Sequence, residues 1–178
     1  MAISFESMLT GGHPNSLGRT IEVVDLVLAD RALLEDLYAC YQSENEVVRL
    51  RTSNAMKRIC KVYPEWLVPF LPHLLDELTQ LDQASAQWTL AQLFAILEDK
   101  MTEAQWIQAR DHMMHNIQHH RDWIVLNTTM EVLLDWSQKD VMLQQWLPAQ
   151  FERHVSDTRK SVAKRATKYL EQLRERVG

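Results

Sequence analysis

The sequence contains no glycine between Arg19 and Val177, and this gap constrains the fold more than any other feature. Glycine tolerates positive φ and allows close approach to a phosphate, so nucleotide-binding loops and tight hairpin turns depend on it. The gap therefore excludes the usual signatures of dinucleotide, P-loop and serine-hydrolase sites. No segment sustains the apolar–polar alternation of a strand between turn residues. Leu, Ala, Gln and Glu are abundant and favour helices, so we predict an all-α fold.

Length and composition indicate a folded protein. With 178 residues, 46% of them hydrophobic, and a net charge of −5, the chain can form one domain or one short repeat array. Cys40 and Cys60 lack metal-binding spacing and lie in apolar helical patterns, which predicts reduced core thiols. The first ten residues do not have the pattern of a signal peptide, and the longest uncharged stretch, 83–97, is too short and polar to span a bilayer. We therefore expect a cytoplasmic protein.

A pattern of acidic, then β-branched or basic residues, then an apolar helix recurs with a period of about 37 residues. It starts at Glu46, Asp82, Asp122 and Asp157. Nine positions later stand Ala55, Ala91 and Ala166 in three repeats, and Glu131 in the third. We therefore predict one domain, 1–178, with an N-terminal lead and capping helix at 1–29 and helix pairs at 30–62, 64–98, 102–137 and 139–177.

Each predicted pair has a first and a second helix joined by a turn. The capping helix is predicted at 20–29, the first helices at 31–42, 65–80, 103–119 and 140–153, and the second helices at 46–62, 83–98, 122–137 and 157–176. An Asp or Asn at the start of each second helix can cap its exposed amides.

The repeat pattern resembles that of a known family. The acidic-x-x-Val-Arg style start of residues 46–55, the Leu-x-Pro-x-Leu-x-x-Leu-Leu style segment 67–75 and the period resemble HEAT repeats of the armadillo type. The resemblance covers about residues 30–177. It implies a right-handed α-α superhelix of about four helix pairs plus an N-terminal helix, with the second helices along a concave face. HEAT-type domains usually bind macromolecules and mostly do no chemistry, so it also implies a non-catalytic protein.

Candidate catalytic and metal-binding groups have simpler interpretations. His112, His115 and His119 share one stripe of a predicted helix and could hold a soft divalent cation. No Glu or Cys completes the ligand set in sequence, so we predict a solvated face and no metal or other cofactor. The carboxylates at helix starts suit capping roles, and no acid–base pair can be assigned. We therefore predict that the protein is not an enzyme and has no catalytic residue.

The tryptophans and the glycine-rich segment leave alternatives open. Six tryptophans recur at one or two per repeat, which is typical of core packing, although Trp88 and Trp123 near helix starts could be binding anchors. Residues 10–20 hold three of the four glycines. This segment is either a flexible lead whose Asn15 or Ser16 caps the first helix, or a specific binding loop.

Basic residues cluster on two predicted second helices. Residues 153–178 contain eight basic and three acidic side chains, and a smaller cluster occupies 49–61. Either cluster could contact phosphates or acidic peptides, and the last helix could instead be a solvated terminal cap.

We therefore predict a helical scaffold or adaptor that binds a protein or peptide, possibly acidic, along its concave face. The predicted groove residues are Arg51, Asn54, Arg58, Gln87, Asn127, Glu131, Lys160 and Lys164. The alternative is a HEAT-like DNA-binding protein or DNA glycosylase of the alkylpurine type. The net negative charge and the lack of basic residues in the middle repeats oppose nucleic-acid binding. We expect no membrane partner, and either a monomer or a weak homo-oligomer.

Overall fold

The computed structural model describes residues 4–177 and is 80% helical, with no strand in that range. This confirms the all-α prediction. The described α-helices are α1 Phe5–Leu9, α2 Thr20–Ala29, α3 Leu34–Ala39, α4 Glu46–Val62, α5 Leu71–Asp76, α6 Ala84–Leu97, α7 Glu103–His119, α8 Trp123–Trp136, α9 Val141–Val155 and α10 Lys160–Val177. None of these helices combines the length and apolarity needed to cross a membrane.

The chain divides into two compact units between residues 101 and 102. In the first unit α4 packs between α2 and α6, and α1 contacts both α2 and α4. In the second unit α7 packs on α8, and α10 packs on α8 and α9. The division falls between the second and third predicted helix pairs. The grouping of four pairs into one right-handed superhelix stays a prediction.

The first helices of the first unit differ from their predicted form. The predicted helix 65–80 is broken into 3₁₀ turns at Pro64–Trp66, Val68–Phe70 and Leu78–Gln80, with only α5 as regular helix. Pro69 and Pro72 have no amide hydrogen to donate, which prevents a continuous α-helical ladder through this segment. The predicted helix 31–42 is likewise α3 flanked by 3₁₀ turns.

The predicted capping role is confirmed at two second helices. The Asn45 side chain accepts from the amide of Val47 at 2.9 Å, and Asp122 accepts from the amide of Ile124 at 2.8 Å. Asp82 does not cap α6, because the N-cap residue is Gln83, whose side chain makes no capping bond. Acidic residues at the repeat starts therefore do not all serve one purpose.

An arginine near the start of a second helix links elements within each unit. In the first unit Arg49 donates to Gln83 Oε1 at 2.6 Å, which joins α4 to the start of α6. In the second unit Arg159 pairs with Asp157 at 2.6 Å and donates to the carbonyl of Arg121 before α8. These bonds fix the spacing between neighbouring helices, because a guanidinium can reach several acceptors from one position.

The three alanines that define the repeat register are buried, as the period predicts. They are Ala55, Ala91 and Ala166. The tryptophan prediction holds for Trp136, which is buried and stacks on Trp106 at 4.9 Å between ring centroids. Trp88 is half-buried, whereas Trp123 is 49% exposed. The core of the two units therefore contains both these small alanines and large aromatic rings.

Candidate functional site

Arg51 lies inside the first unit and not on an open groove. Its side chain is 1% exposed and donates to four backbone carbonyls of the N-terminal segment. Nη1 bonds the carbonyls of Leu9 and Gly11 at 2.7 and 2.6 Å, and Nε and Nη2 bond those of Ser16 and His13 at 3.1 Å each. The prediction that Arg51 contacts a partner is therefore wrong, because its donors already serve the chain itself.

The segment 10–19, which we call the glycine loop, is organised by this guanidinium. Gly11, Gly12 and Gly18 have φ values of 82°, 73° and 52°, which other residues adopt at a cost. A Cβ at Gly18 would lie 2.8 Å from Cζ of Arg51, so this position has no room for a side chain. The glycine loop is thus a built structure around one buried charge.

One interpretation of the sequence was that Asn15 or Ser16 caps the first helix. Neither residue caps α2. The N-cap residue of α2 is Arg19, and its side chain makes no capping bond. Arg19 instead forms a 2.6 Å ion pair with Glu22. Ser16 Oγ accepts from the amide of Gly18 at 3.1 Å, so its hydroxyl serves the loop.

Two more predicted groove residues are buried. Gln87 donates to the carbonyls of Leu81 and Thr79 at 2.9 and 3.2 Å, which holds the turn before α6. Asn127 donates to Ser161 Oγ at 3.3 Å, which links α8 to α10. Both side chains are therefore structural, and their assignment to a partner-binding surface is corrected.

The remaining five predicted residues reach the surface. In the first unit Arg58 is exposed, and its Nε donates to Oδ1 of the half-buried Asn54 at 2.7 Å. In the second unit Glu131 is exposed and pairs with Arg165 at 3.1 Å. Lys160 and Lys164 are exposed on α10. The accessible part of the predicted site is thus smaller and more basic than the sequence indicated.

Lys160, Lys164 and Lys168 form a stripe along α10, which we call the lysine stripe. All three are exposed, and none takes part in an ion pair within the described part of the second unit. Their four-residue spacing places successive ammonium groups on one side of the helix, about 6 Å apart along its axis. The nearby Arg165 is already neutralised by Glu131. The lysine stripe therefore presents uncompensated positive charge.

The histidines are not all on a solvated face. His115 and His119 are exposed, and their rings stack with centroids 4.3 Å apart, because residues four positions apart are neighbours on a helix. His112 is half-buried, and its Nε2 lies 3.2 Å from Asn116 Nδ2. Burial, and then the neighbouring His115 and His120, lower the pKa of His112 to about 4. The prediction of a uniformly wet stripe is wrong for His112.

The half-buried imidazole of His112 predicts a pH-dependent stability. The pKa of His112 is about 4 in the folded state and near 6.5 in the unfolded chain. Between pH 4 and 6.5 the unfolded chain therefore binds a proton on this imidazole that the folded protein does not bind. We expect the melting temperature to fall as pH decreases from 6.5 to 4. In His112→Gln that part of the pH dependence should be reduced, as measured by calorimetry at matched pH values. An unchanged slope in the variant would contradict this assignment.

The thiols are poorly suited to nucleophilic chemistry. Cys40 and Cys60 are free and buried, as the sequence predicts. Burial raises their pKa values, to about 11 for Cys40 and about 12 for Cys60, so the reactive thiolate is scarce at neutral pH. Within residues 4–177, no group of three or more His, Cys, Asp or Glu side chains is placed to hold a metal ion.

No family model matches the sequence, and no curated protein matches it significantly. The surface chemistry of the two units is therefore the basis for a functional proposal.

Proposed function

We propose that this protein is a non-catalytic helical scaffold that binds a protein partner through exposed polar faces of its second helices. The observation that carries the proposal is the lysine stripe on α10. Three ammonium groups stand in line without carboxylate partners, although the described second unit contains many acidic residues. Uncompensated charge of one sign along a rigid helix favours a partner surface of the opposite sign.

The lysine stripe is held in place before any partner binds. α10 packs on α8 and α9, and its Arg165 bridges to Glu131 of α8. At the other end of the helix Arg176 donates to the carbonyl of Leu134 at 3.2 Å. Preorganisation of this kind reduces the entropy lost on association. An acidic helix in the partner, with carboxylates at four-residue intervals, would match the spacing of the stripe.

Resemblance to HEAT repeats supports the same function from the sequence, because such domains usually bind other macromolecules. The arginine links at the starts of α4 and α10 are consistent with repeated stacking of helix pairs within each unit. The raised pKa values of the buried thiols argue against nucleophilic catalysis by Cys40 or Cys60.

A DNA-binding function fits the charges less well. The chain has 24 acidic and 19 basic residues, and several of the arginines near the lysine stripe are paired with carboxylates. Binding by counterion release requires many free cations on one face, so three lysines would give weak affinity. Binding of a nucleic acid is therefore treated as the alternative result of the crosslinking experiment.

The test uses a photo-crosslinking amino acid in place of Thr167, which is exposed on α10 between Lys164 and Lys168. We expect irradiation of cells to give a protease-sensitive adduct. Adding Lys160→Glu with Lys164→Glu should decrease its yield by about tenfold, because the reversed charges repel an acidic partner.

The matched control reverses two exposed arginines of the same unit, Arg121→Glu with Arg153→Glu, and makes the same change in net charge. This control should keep the adduct. An adduct sensitive to nuclease would establish the nucleic-acid alternative. An equal loss in both double variants, or no adduct at all, would overturn the proposal.

A further inference from the structure

The last turn of α4 and its C-cap combine positive charge with exposed apolar surface. Lys57, Arg58 and Lys61 lie on one side of the helix, because Lys61 follows Arg58 by three positions and Lys57 by four. Val62 and Tyr63 follow directly and are 53% and 39% exposed. We call these five residues the α4 patch. Large apolar side chains next to unpaired cations on a surface suggest a binding site.

The cations of the α4 patch have no carboxylate partners. None of the three forms an ion pair in the described part of the first unit, and Arg58 is oriented by its bond to Asn54. Burial lowers the pKa of Lys57, and the positive charges of Lys61 and Arg58 lower it further. The C-terminal end of the helix dipole makes cations here favourable, but it does not account for the exposed Val62 and Tyr63.

The aromatic part of the α4 patch packs against a neighbouring ring. The rings of Tyr63 and Trp66 are stacked with centroids 4.3 Å apart and an interplanar angle of 15°. The guanidinium of Arg31 lies over Trp66, 5.8 Å from the ring centroid. Tyr63 is thus held against its neighbour while a substantial part of its surface stays open. A preordered tyrosine loses little entropy when it contacts a partner, which is why such residues often dominate binding energy.

The charge around the α4 patch selects among possible partners. Residues 1–101 contain eight basic and fourteen acidic side chains, so the first unit is acidic apart from this patch. A nucleic acid carries charge along its whole length and is repelled by that field. A short peptide can place a few carboxylates on the patch alone, since charges are screened beyond about 8 Å at physiological salt.

We propose that the α4 patch docks a short acidic peptide segment of the partner, with carboxylates on its cations and one aromatic side chain against Val62 and Tyr63. The proposal rests on the proposed function and adds a second contact, in the first unit. It gives the partner a stated chemistry: acidic residues on both sides of a single apolar anchor.

The first test measures fluorescence anisotropy of labelled peptides with the full-length protein. The probe is a peptide of acidic residues around one phenylalanine. One matched peptide replaces the phenylalanine by alanine, and another replaces each acid by its amide. We expect Arg58→Glu with Lys61→Glu to weaken binding of the first peptide by about tenfold or more, and to have less effect on the amide peptide.

Tyr63 is tested by a double-mutant cycle. Tyr63→Ala should weaken binding of the phenylalanine peptide by about fivefold. It should leave binding of the alanine peptide almost unchanged, because that peptide has no ring to contact Tyr63. Val62→Ser provides a second variant of the apolar surface with little risk to the fold. Lys100→Glu reverses a cation of the first unit outside the α4 patch, and it is the control for the charge reversals within the patch.

The outcomes separate this inference from the proposed function. Equal affinity for all three peptides, or no coupling between Tyr63 and the phenylalanine, would overturn the inference. Tighter binding of a single-stranded oligonucleotide at the same patch would also overturn it, in favour of nucleic acid. If the α4 variants have no effect while the crosslink on α10 persists, the inference fails and the proposed function stands. If peptide binding persists but the α10 crosslink is absent, the proposed function fails as stated.

Discussion

Arg51→Met is expected to lower the free energy of unfolding by about 3–5 kcal/mol. Methionine fills similar space but cannot donate, so the four carbonyls now bonded by the guanidinium lose their partner. Water can reach some of them, since residues of the glycine loop are exposed, but the carbonyl of Leu9 belongs to a buried residue. Urea denaturation followed by circular dichroism measures the change.

Two other variants define the cause of this loss. Arg58→Met removes an exposed guanidinium from the same helix and should cost less than about 0.5 kcal/mol. Arg51→Lys keeps the charge but replaces a planar fork by one ammonium group, so it should recover only part of the stability. Amide hydrogen exchange in residues 10–19 should accelerate in both Arg51 variants. An Arg51→Met protein within 1 kcal/mol of the parent, with unchanged exchange, would show that the loop does not depend on the guanidinium.

Helix positions were predictable where periodicity and composition agree. The bounds of α2, α4 and α7 match their predicted ranges, because each combines a continuous apolar stripe with an absence of glycine and proline. The first helices of the first unit were not predictable in detail. Pro69 and Pro72 fall within an apolar pattern of helical period, and their effect on the hydrogen-bond ladder breaks the segment into short turns.

The candidate site was predictable only in part, because helical spacing places residues on a stripe but does not say what covers the stripe. Arg51 shares its side of α4 with Asn54 and Arg58, yet Arg51 is buried under the N-terminal segment whereas Arg58 is exposed. The covering residues lie 35 to 42 positions earlier in the chain, beyond the reach of any local pattern. The one available signal was the cluster of three glycines in residues 10–20, which predicted either a flexible lead or a specific binding loop.

Gly18→Ala is expected to destabilise the protein by about 2–5 kcal/mol, from two separate costs. At a φ of 52°, alanine is strained by about 1–2 kcal/mol. Its Cβ would also lie 2.8 Å from Cζ and Nη1 of Arg51, and overpacking of this kind costs about 1–3 kcal/mol. An arginine at the surface could move aside. Here the guanidinium cannot do so without leaving its carbonyl acceptors, so the backbone of the loop has to shift.

Gly11→Ala separates the two costs, because Gly11 also has positive φ but a Cβ there would meet no atom within 4 Å. It should lose only the backbone contribution, about 1–2 kcal/mol. The contact with Arg51 is then tested by combining Gly18→Ala with Arg51→Met. The flexible thioether can move away from the new methyl group, so the cost of Gly18→Ala should fall by about 1–2 kcal/mol in that background. Gly11→Ala should cost the same with either residue at position 51. Equal costs for Gly18→Ala in both backgrounds would mean that its effect comes from the backbone alone, and that the guanidinium does not fix the shape of the loop.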